Sequence, residues 1–438
     1  MSIPVQTSDR AQSSNARTFM AFEVERGVTP TTPGAFYPVR NDSLSMGVSE
    51  SWESDNDMHN GRDPTLPTLQ TIDGSVNVTT GIDKRLFGAH VGALLGPATV
   101  TPSRAYGYLQ FGKRGVASGD TITVGGTTWT FTAGSAGANE TEIQVAVADT
   151  VAQLAADLTA SSIAGATFVA VGWRLSIEAT AAGTAGNAFT IAAPRGVADA
   201  SAATLVGGGL YRHVFESGAQ ALPSLSFVNE HRDMAAGTPR YPVLYGVTYN
   251  QMSVSIEPTG RATATFSGPA INERNSDTAI VGSGAKPLAY ERFSNLQGGL
   301  SIDDECVCGV MTSATLEYSN GLDTERTLGC GFSPDAGAVT EMLPGVASAS
   351  FRAPTRFYSD KLHGQYEATR DPLSASWMLF DAVDGSSVRL SLDQVTFPRA
   401  ARDYRSGSTI AANLQGLASG DGVPMLRVEI TNDVAEYS

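Results

Sequence analysis

Lysine is nearly missing. Lys84, Lys113, Lys286 and Lys361 are the four in 438 residues, and together with arginine they make 29 cations against 44 carboxylates, a formal charge of −15. No stretch gathers enough cations to neutralise a run of phosphates, which argues against tight, specific nucleic-acid binding. Cysteine is as scarce, with three in the chain. Cys306 and Cys308 share a strand face and Cys330 stands apart. An odd trio without a CxxC pair reads as reduced thiols rather than a disulfide scaffold, and makes only a weak case for zinc. Long apolar runs are lacking too. The best, Ile163 to Trp173, is interrupted by Gly165 and Gly172 and falls short of the roughly 20 residues that cross a bilayer. The polar opening has no apolar core of the secretory kind, and residues 1–20 read as a flexible N-terminal arm.

Catalytic signatures are missing as well. There is no HExxH pair and no G-x-S-x-G elbow, and Gly282-Ser-Gly-Ala-Lys286 lacks the spacing and the following hydroxyl of a phosphate-cradling loop. Asp55, Asp57 and Gly61 fall short of a calcium loop. His90 and His363 sit near apolar helical stripes as packing residues, His213 and His231 flank acidic residues without ligand spacing, and His59 lies in a polar loop. Carboxylate pairs such as Glu23 with Glu25, or Asp381 with Asp384, are what an acidic chain carries by chance. The sequence therefore predicts no enzyme, no cofactor and no metal.

What is present is β pattern. The length suits two to four domains with cores of their own. Composition changes near Gly115 and back near Tyr211, so residues 115–209 read as an inserted module. Asp120–Val124 and Thr127–Phe131 alternate across Gly125-Gly126 as a hairpin. An amphipathic helix follows, with Val151, Leu154, Ala155 and Leu158 on one face and Thr150 and Gln153 spaced as a capping box. Short strands at 168–171, 175–177 and 189–191 complete a ββαββ order, and its charges sum to −5, from two arginines against seven carboxylates.

The flanks repeat an order of signals. In the first, residues 21–114 with 210–280, a strand near Leu44–Trp52 leads into a polar loop, Glu53–Thr71, then an alternating strand from Gly74. A helix follows, capped by Asp83, striped by Leu86, Phe87, Val91, Leu94 and Leu95, and stopped by Gly96-Pro97. Residues 281–438 give a strand at Ala314–Tyr318, a polar loop at Ser319–Pro344, a strand from Gly345, and Asp360-Lys-Leu-His-Gly-Gln as a second helix start. Strands follow at 373–380, 388–395 and 425–430. The pattern fits one unit written twice and equally one large antiparallel β domain with two helices.

The run Phe22-Glu-Val-Glu25-Arg-Gly27-Val-Thr29-Pro30-Thr-Thr-Pro33 resembles the entry segment of the tail tube protein (major tail protein) family of long-tailed bacteriophages, in which a Glu, a Gly and a Thr-Pro pair recur at this spacing: here Glu25, Gly27, Thr29 and Pro30. Gly61-Arg62, Gly74-Ser75 and Gly246–Asn250 agree in order. The insert, through Gly119–Thr127 and Ala182–Asn187, separately resembles a small ββαββ module of phage structural proteins. The resemblance implies a mainly β fold with a few helices (α+β): a duplicated tail-tube unit of orthogonal β-sheets flanked by a helix, one sheet joining its neighbours into a β-barrel, plus the small inserted α/β module.

It implies a non-enzymatic virion protein, assembled in the host cytoplasm, whose partners are itself and other tail proteins. Trimeric pseudo-hexameric rings, alternatively hexameric ones, would stack into a hollow tube carrying DNA as non-specific cargo in an acidic lumen, with no membrane involved. Inter-ring stacking falls to the arm and to the two loops, through Glu53, Asp55, Asp57, Arg62 and Asp63 in one, and Asp323, Glu325, Arg326 and Asp335 in the other. The alternative is a tail-tip or adhesin-type protein using the insert for host-surface contact.

Overall fold

The computed structural model describes residues 16–54, 63, 66–161, 163–231, 241–303, 305–306, 313–326, 335, 337–355, 371–398, 402–403 and 411–437. The chain opens with β1 (Ala16–Phe22), β2 (Tyr37–Val39), β3 (Asn41–Glu53) and β4 (Thr68–Gly81). The last two form a long hairpin whose outer residues, Ser49–Glu53 and Thr68–Gln70, are exposed. Helix α1 (Phe87–Leu95) follows. Asp83 Oδ1 accepts the amide hydrogens of Arg85 and Leu86, at 2.8 and 2.5 Å, as the turn enters the helix. Gly96, at φ 97°, ends it. The expected apolar stripe is an understatement: every residue of α1 is buried, as a helix apolar on all sides must be.

The next segment holds β5 (Thr99–Pro102), β6 (Arg104–Phe111), β7 (Thr121–Val124), β8 (Thr127–Thr132), β9 (Glu140–Glu142), helix α2 (Val147–Ala160), β10 (Ala166–Val171), β11 (Arg174–Ala182), β12 (Ile191–Ala192) and β13 (Ala198–Ala200). It forms two four-stranded sheets, ordered β10-β11-β6-β13 and β12-β7-β8-β9. They enclose α2 and a separate core running from Ala105 to Leu205, with Leu109, Phe131, Leu154 and Ile177 at its centre. The expected Gly-Gly hairpin is there as β7–β8. The capping box is not. The helix starts a turn earlier, at Ala146, so Thr150 lies inside it and its Oγ1 accepts from the Gln144 amide at 3.0 Å, while Gln153 donates to Asp157.

The chain returns through β14 (Tyr211–Glu216), β15 (Leu225–His231), β16 (Tyr241–Val247), β17 (Gln251–Ile256), β18 (Thr263–Ala270) and β19 (Asn272–Ser276). The remainder adds β20 (Gly298–Ile302), β21 (Glu305–Cys306), β22 (Ala314–Ser319), β23 (Asp323–Glu325), β24 (Glu341–Leu343), β25 (Ser348–Thr355), β26 (Leu373–Phe380), β27 (Ser387–Thr396), β28 (Arg402–Asp403), β29 (Ala411–Ala418) and β30 (Arg427–Asn432). The second expected helix start, at Asp360, lies outside the described residues.

These elements make a mainly β protein. The main path of a 15-stranded sheet runs β21-β20-β26-β27-β29-β25-β22-β17-β18-β4-β3, with β28 beside β29 and with β30, β14 and β5 branching in turn from β27, and a five-stranded sheet runs β19-β16-β15-β1-β2. The main core joins the two around α1: Phe266 of β18 stacks on His90 at 5.1 Å, and Gly92 faces Phe22 and Phe215. Among the described residues the large sheet stays open, ending in β3 on one side and β21 on the other, so no barrel closes within one chain. β14 lies between β5 and β30, with Tyr211 paired to Pro102 and to Asn432.

Candidate functional site

Seven adjacent strands of the large sheet alternate strictly, since successive side chains point to opposite faces. One face is core: Val78, Phe266, Met252, Tyr318 and Ala349 stand in register across five strands. The other face is a set of hydroxyl and amide ladders. One row runs Ser43, Thr79, Thr265, Ser253, Glu317 and Ser350, and ends at Leu417. The next runs Ser45, Asn77, Ser267, Gln251, Ser319 and Ser348. Neighbouring hydroxyls bond one another, with Thr79 and Thr265 at 3.0 Å. Glu317 is the one charge in these rows, and Arg352 of the adjoining row lies 3.8 Å from it, so these rows are close to neutral.

The N-terminal motif folds around a carboxylate next to the expected one. Glu23 Oε2 accepts from the Gly27 amide at 2.8 Å, while its Oε1 accepts from Ser226 Oγ at 2.5 Å and from the Gly246 amide at 2.9 Å. Gly27 (φ 81°) and Gly246 (φ 65°) are both left-handed, which suits glycine and turns their amides inward. Thr29 is buried, with its hydroxyl 3.0 Å from Ser226 Oγ. Pro30 is half-buried; Glu25 is exposed and contributes its carbonyl to Val28. Sequence reasoning weighed Glu23 only as a chance pair with Glu25. The available signal was its place directly after the apolar run of β1.

Of the loop residues, Glu53 ends β3 and is exposed, Asp63 is exposed, and Asp55, Asp57 and Arg62 lie outside the described residues. Asp323 and Glu325 are exposed on β23, which pairs with β24. Arg326 and Asp335 fold back on their own chain. Arg326 pairs with Asp73 of β4 and donates to Gly337 O at 3.1 Å, and the Ile72 amide donates to the same carbonyl at 2.9 Å. Asp335 Oδ1 accepts from Tyr245 Oη at 2.5 Å and Asn272 Nδ2 at 3.0 Å. Burial, helped by the Asp335 carboxylate, raises the Tyr245 phenol. The structure thus gathers Arg326 and Asp335 at the root of the β3–β4 hairpin, whose far end shows Trp52 and Leu69 to solvent.

Asp381 and Asp384, together with Glu291, form the one close trio of carboxylates among the described residues, and Lys84 fills it. Its Nζ lies 2.8 Å from Glu291, 2.7 Å from Asp381 and 2.9 Å from Asp384, with 3 % of the side chain exposed. Burial alone would lower this lysine; the three carboxylates together raise it instead. The arrangement is an ionic clasp between the entry to α1 and the β26–β27 turn. His90 is fully buried and bonds Tyr249 Oη through Nδ1 at 3.0 Å; burial pushes it down to about 3.

The chain is thus a two-sheet β fold around a buried helix, with one face of the large sheet lined by hydroxyl and amide rows. Residues 207–416, just under half of the chain, match the family model for the phage tail tube protein, which supports a phage tail tube family and a structural place in the phage tail. The match starts at the return from the insert and takes in β14 to β28 and most of β29; the N-terminal motif lies ahead of it. No curated protein shows a significant match to the chain. Among the described residues, no helix is long and apolar enough to cross a membrane.

Proposed function

We propose that this protein is the major tail tube subunit, assembling with copies of itself into stacked rings whose bore delivers phage DNA. The observation that carries the reading is the hydroxyl-ladder face. DNA in transit must be wetted but not held, and each free cation on the wall would add a phosphate contact. The rows offer hydroxyls and amides, and their charge is an ion pair. The bore would then owe its low adhesion to neutral hydroxyls more than to excess carboxylate, which modifies the acidic lumen expected above.

Strand order supports two units per chain. The quartet β3-β4-β18-β17 takes its first, second, fourth and third strands in sequence, and β22-β25-β29-β27 takes the same order. The quartets join through β17 and β22, and β3 is left as an edge for a neighbour. Three chains would then supply six units per ring. The exposed β3–β4 hairpin and the arm would reach the adjacent ring, other tail proteins would meet the tube's ends, and assembly would take place in the host cytoplasm.

The test is negative-stain electron microscopy of the purified chain, alone and with a tail-initiating complex, with mass photometry to count subunits. Hollow filaments or stacked rings of three chains are expected. Discrete monomers under both conditions would overturn the reading in favour of a tail-tip or adhesin role.

A further inference from the structure

The module that β6 to β13 build does not hang free of the large sheet. Tyr106 and Tyr108 of β6 meet Phe380 of β26 edge-on at 5.1 and 5.9 Å. Gly207 and Gly385 touch through their backbones, where a Cβ on Gly207 would lie 2.9 Å from the Gly385 carbonyl oxygen. Between these contacts lies a cleft of about 720 Å³, walled by β6, β10 and β11 on one side and by β20, β26, β27 and β30 on the other.

Its charge is opposite to that of the protein. Four arginines, Arg104, Arg174, Arg212 and Arg389, line it against two glutamates, Glu178 and Glu429. Arg212 pairs with Glu429 at 2.8 Å. Arg104, Arg174 and Arg389 form no ion pair among the described residues, Glu429 opposite Arg389 being taken by Arg212, in a chain where carboxylates outnumber cations by 44 to 29. Arg174 is the most constrained. Its guanidinium lies 5.6 Å from the centroid of Tyr108, and its Nε is buried without a hydrogen-bond partner. Leaving such a donor unmet is costly, and gathering unpaired guanidinium groups in one cleft adds repulsion.

We propose that this cleft binds an anionic glycan, a sugar chain bearing carboxylate or phosphate groups. Guanidinium forks suit either anion. The remaining polar lining is hydroxyl, including Ser176 and the Ser301–Ser376 pair at 2.8 Å, and hydroxyls both donate to and accept from sugar hydroxyls. The aromatic edges offer flat apolar surface for sugar C–H groups. The site stands independently of the tube reading, because it is tested on the unassembled chain.

The experiment is calorimetric titration of the intact chain with tetragalacturonate, a glycerol-phosphate tetramer, neutral maltotetraose and tetraglutamate. Saturable binding of an anionic glycan is expected, at least tenfold tighter than maltotetraose and weakening with salt; which tetramer binds identifies carboxylate or phosphate as the anion. Arg174→Gln and Arg389→Gln should each weaken it about tenfold. Arg389 is exposed on the sheet wall, so Arg389→Gln keeps the test sound if Arg174→Gln disturbs folding. Absence of saturation at millimolar glycan, equal or tighter binding of tetraglutamate, or indifference to both substitutions would overturn the proposal.

Discussion

Glu23 and Gly246 lie 223 positions apart, and the carboxylate of one receives the amide hydrogen of the other at 2.9 Å. The bond ties the exit of β1 to β16, and the same side chain holds the Gly27 amide and the Ser226 hydroxyl. Glu23→Ala should therefore cost about 2–3 kcal/mol, the range for hydrogen bonds to a charged group whose donors are left unmet. Glu25→Ala, at an exposed neighbour, should stay within about 0.5 kcal/mol. Urea denaturation of the two variants side by side checks this.

Lys84→Met should cost about 3–5 kcal/mol, because it strands three carboxylates that now share one ammonium. The pH dependence has two sides. The raised lysine contributes stability that is complete below 10.5 and fades only above it. Asp384 is lowered: burial raises it, but the Lys84 and Ser386 bonds outweigh that, so its contribution is present above 3.8 and fades as pH falls further. Denaturant midpoints should be flat near neutrality for this clasp, and Lys84→Met should remove the alkaline loss.

His90 acts in the intermediate range. Its folded form stays neutral down to about 3, whereas the unfolded chain takes up a proton below 6.5. Stability should fall by about 1.4 kcal/mol per pH unit across that window. His90→Gln should flatten the slope between pH 6 and 4, read by chemical denaturation at each pH.

The tube reading makes a charge prediction. Ser253→Lys with Thr265→Lys places two adjacent cations on the hydroxyl face, cross-strand partners in register. Assembly should survive, while DNA ejection slows at low salt and recovers at high salt, as phosphate contacts do. Ejection kinetics from assembled particles give the readout.

Local pattern carried much of this structure. The β7–β8 hairpin follows from alternation around Gly125-Gly126, and the Asp83 entry and Gly96 exit of α1 follow from capping chemistry. Distant partners were not legible. The sequence reading places Arg326 in an inter-ring stacking loop, but its partner Asp73 is 253 positions away, and Asp335 meets Tyr245 across 90. Nothing in the residues around either names the other. The Thr150 capping box failed for a related reason: several Ala and Val residues upstream can equally begin a helix, and the side chain then finds Gln144. Glu23 and Glu25 look alike in sequence, and only the turned amides of Gly27 and Gly246 separate them.

Pro102 and Tyr211 face each other in register on β5 and β14. The hundred-odd residues between them leave and re-enter the sheet at one point, like a graft on a closed stem. Cutting that graft and bridging the stem with a two-residue turn should leave β14 seated against β30, at the cost of uncovering Phe380 and Gly385 where the graft rests on the sheet. A lineage could exchange the module there by a single recombination, keeping the strands on either side of the stem in place while what it carries is rewritten.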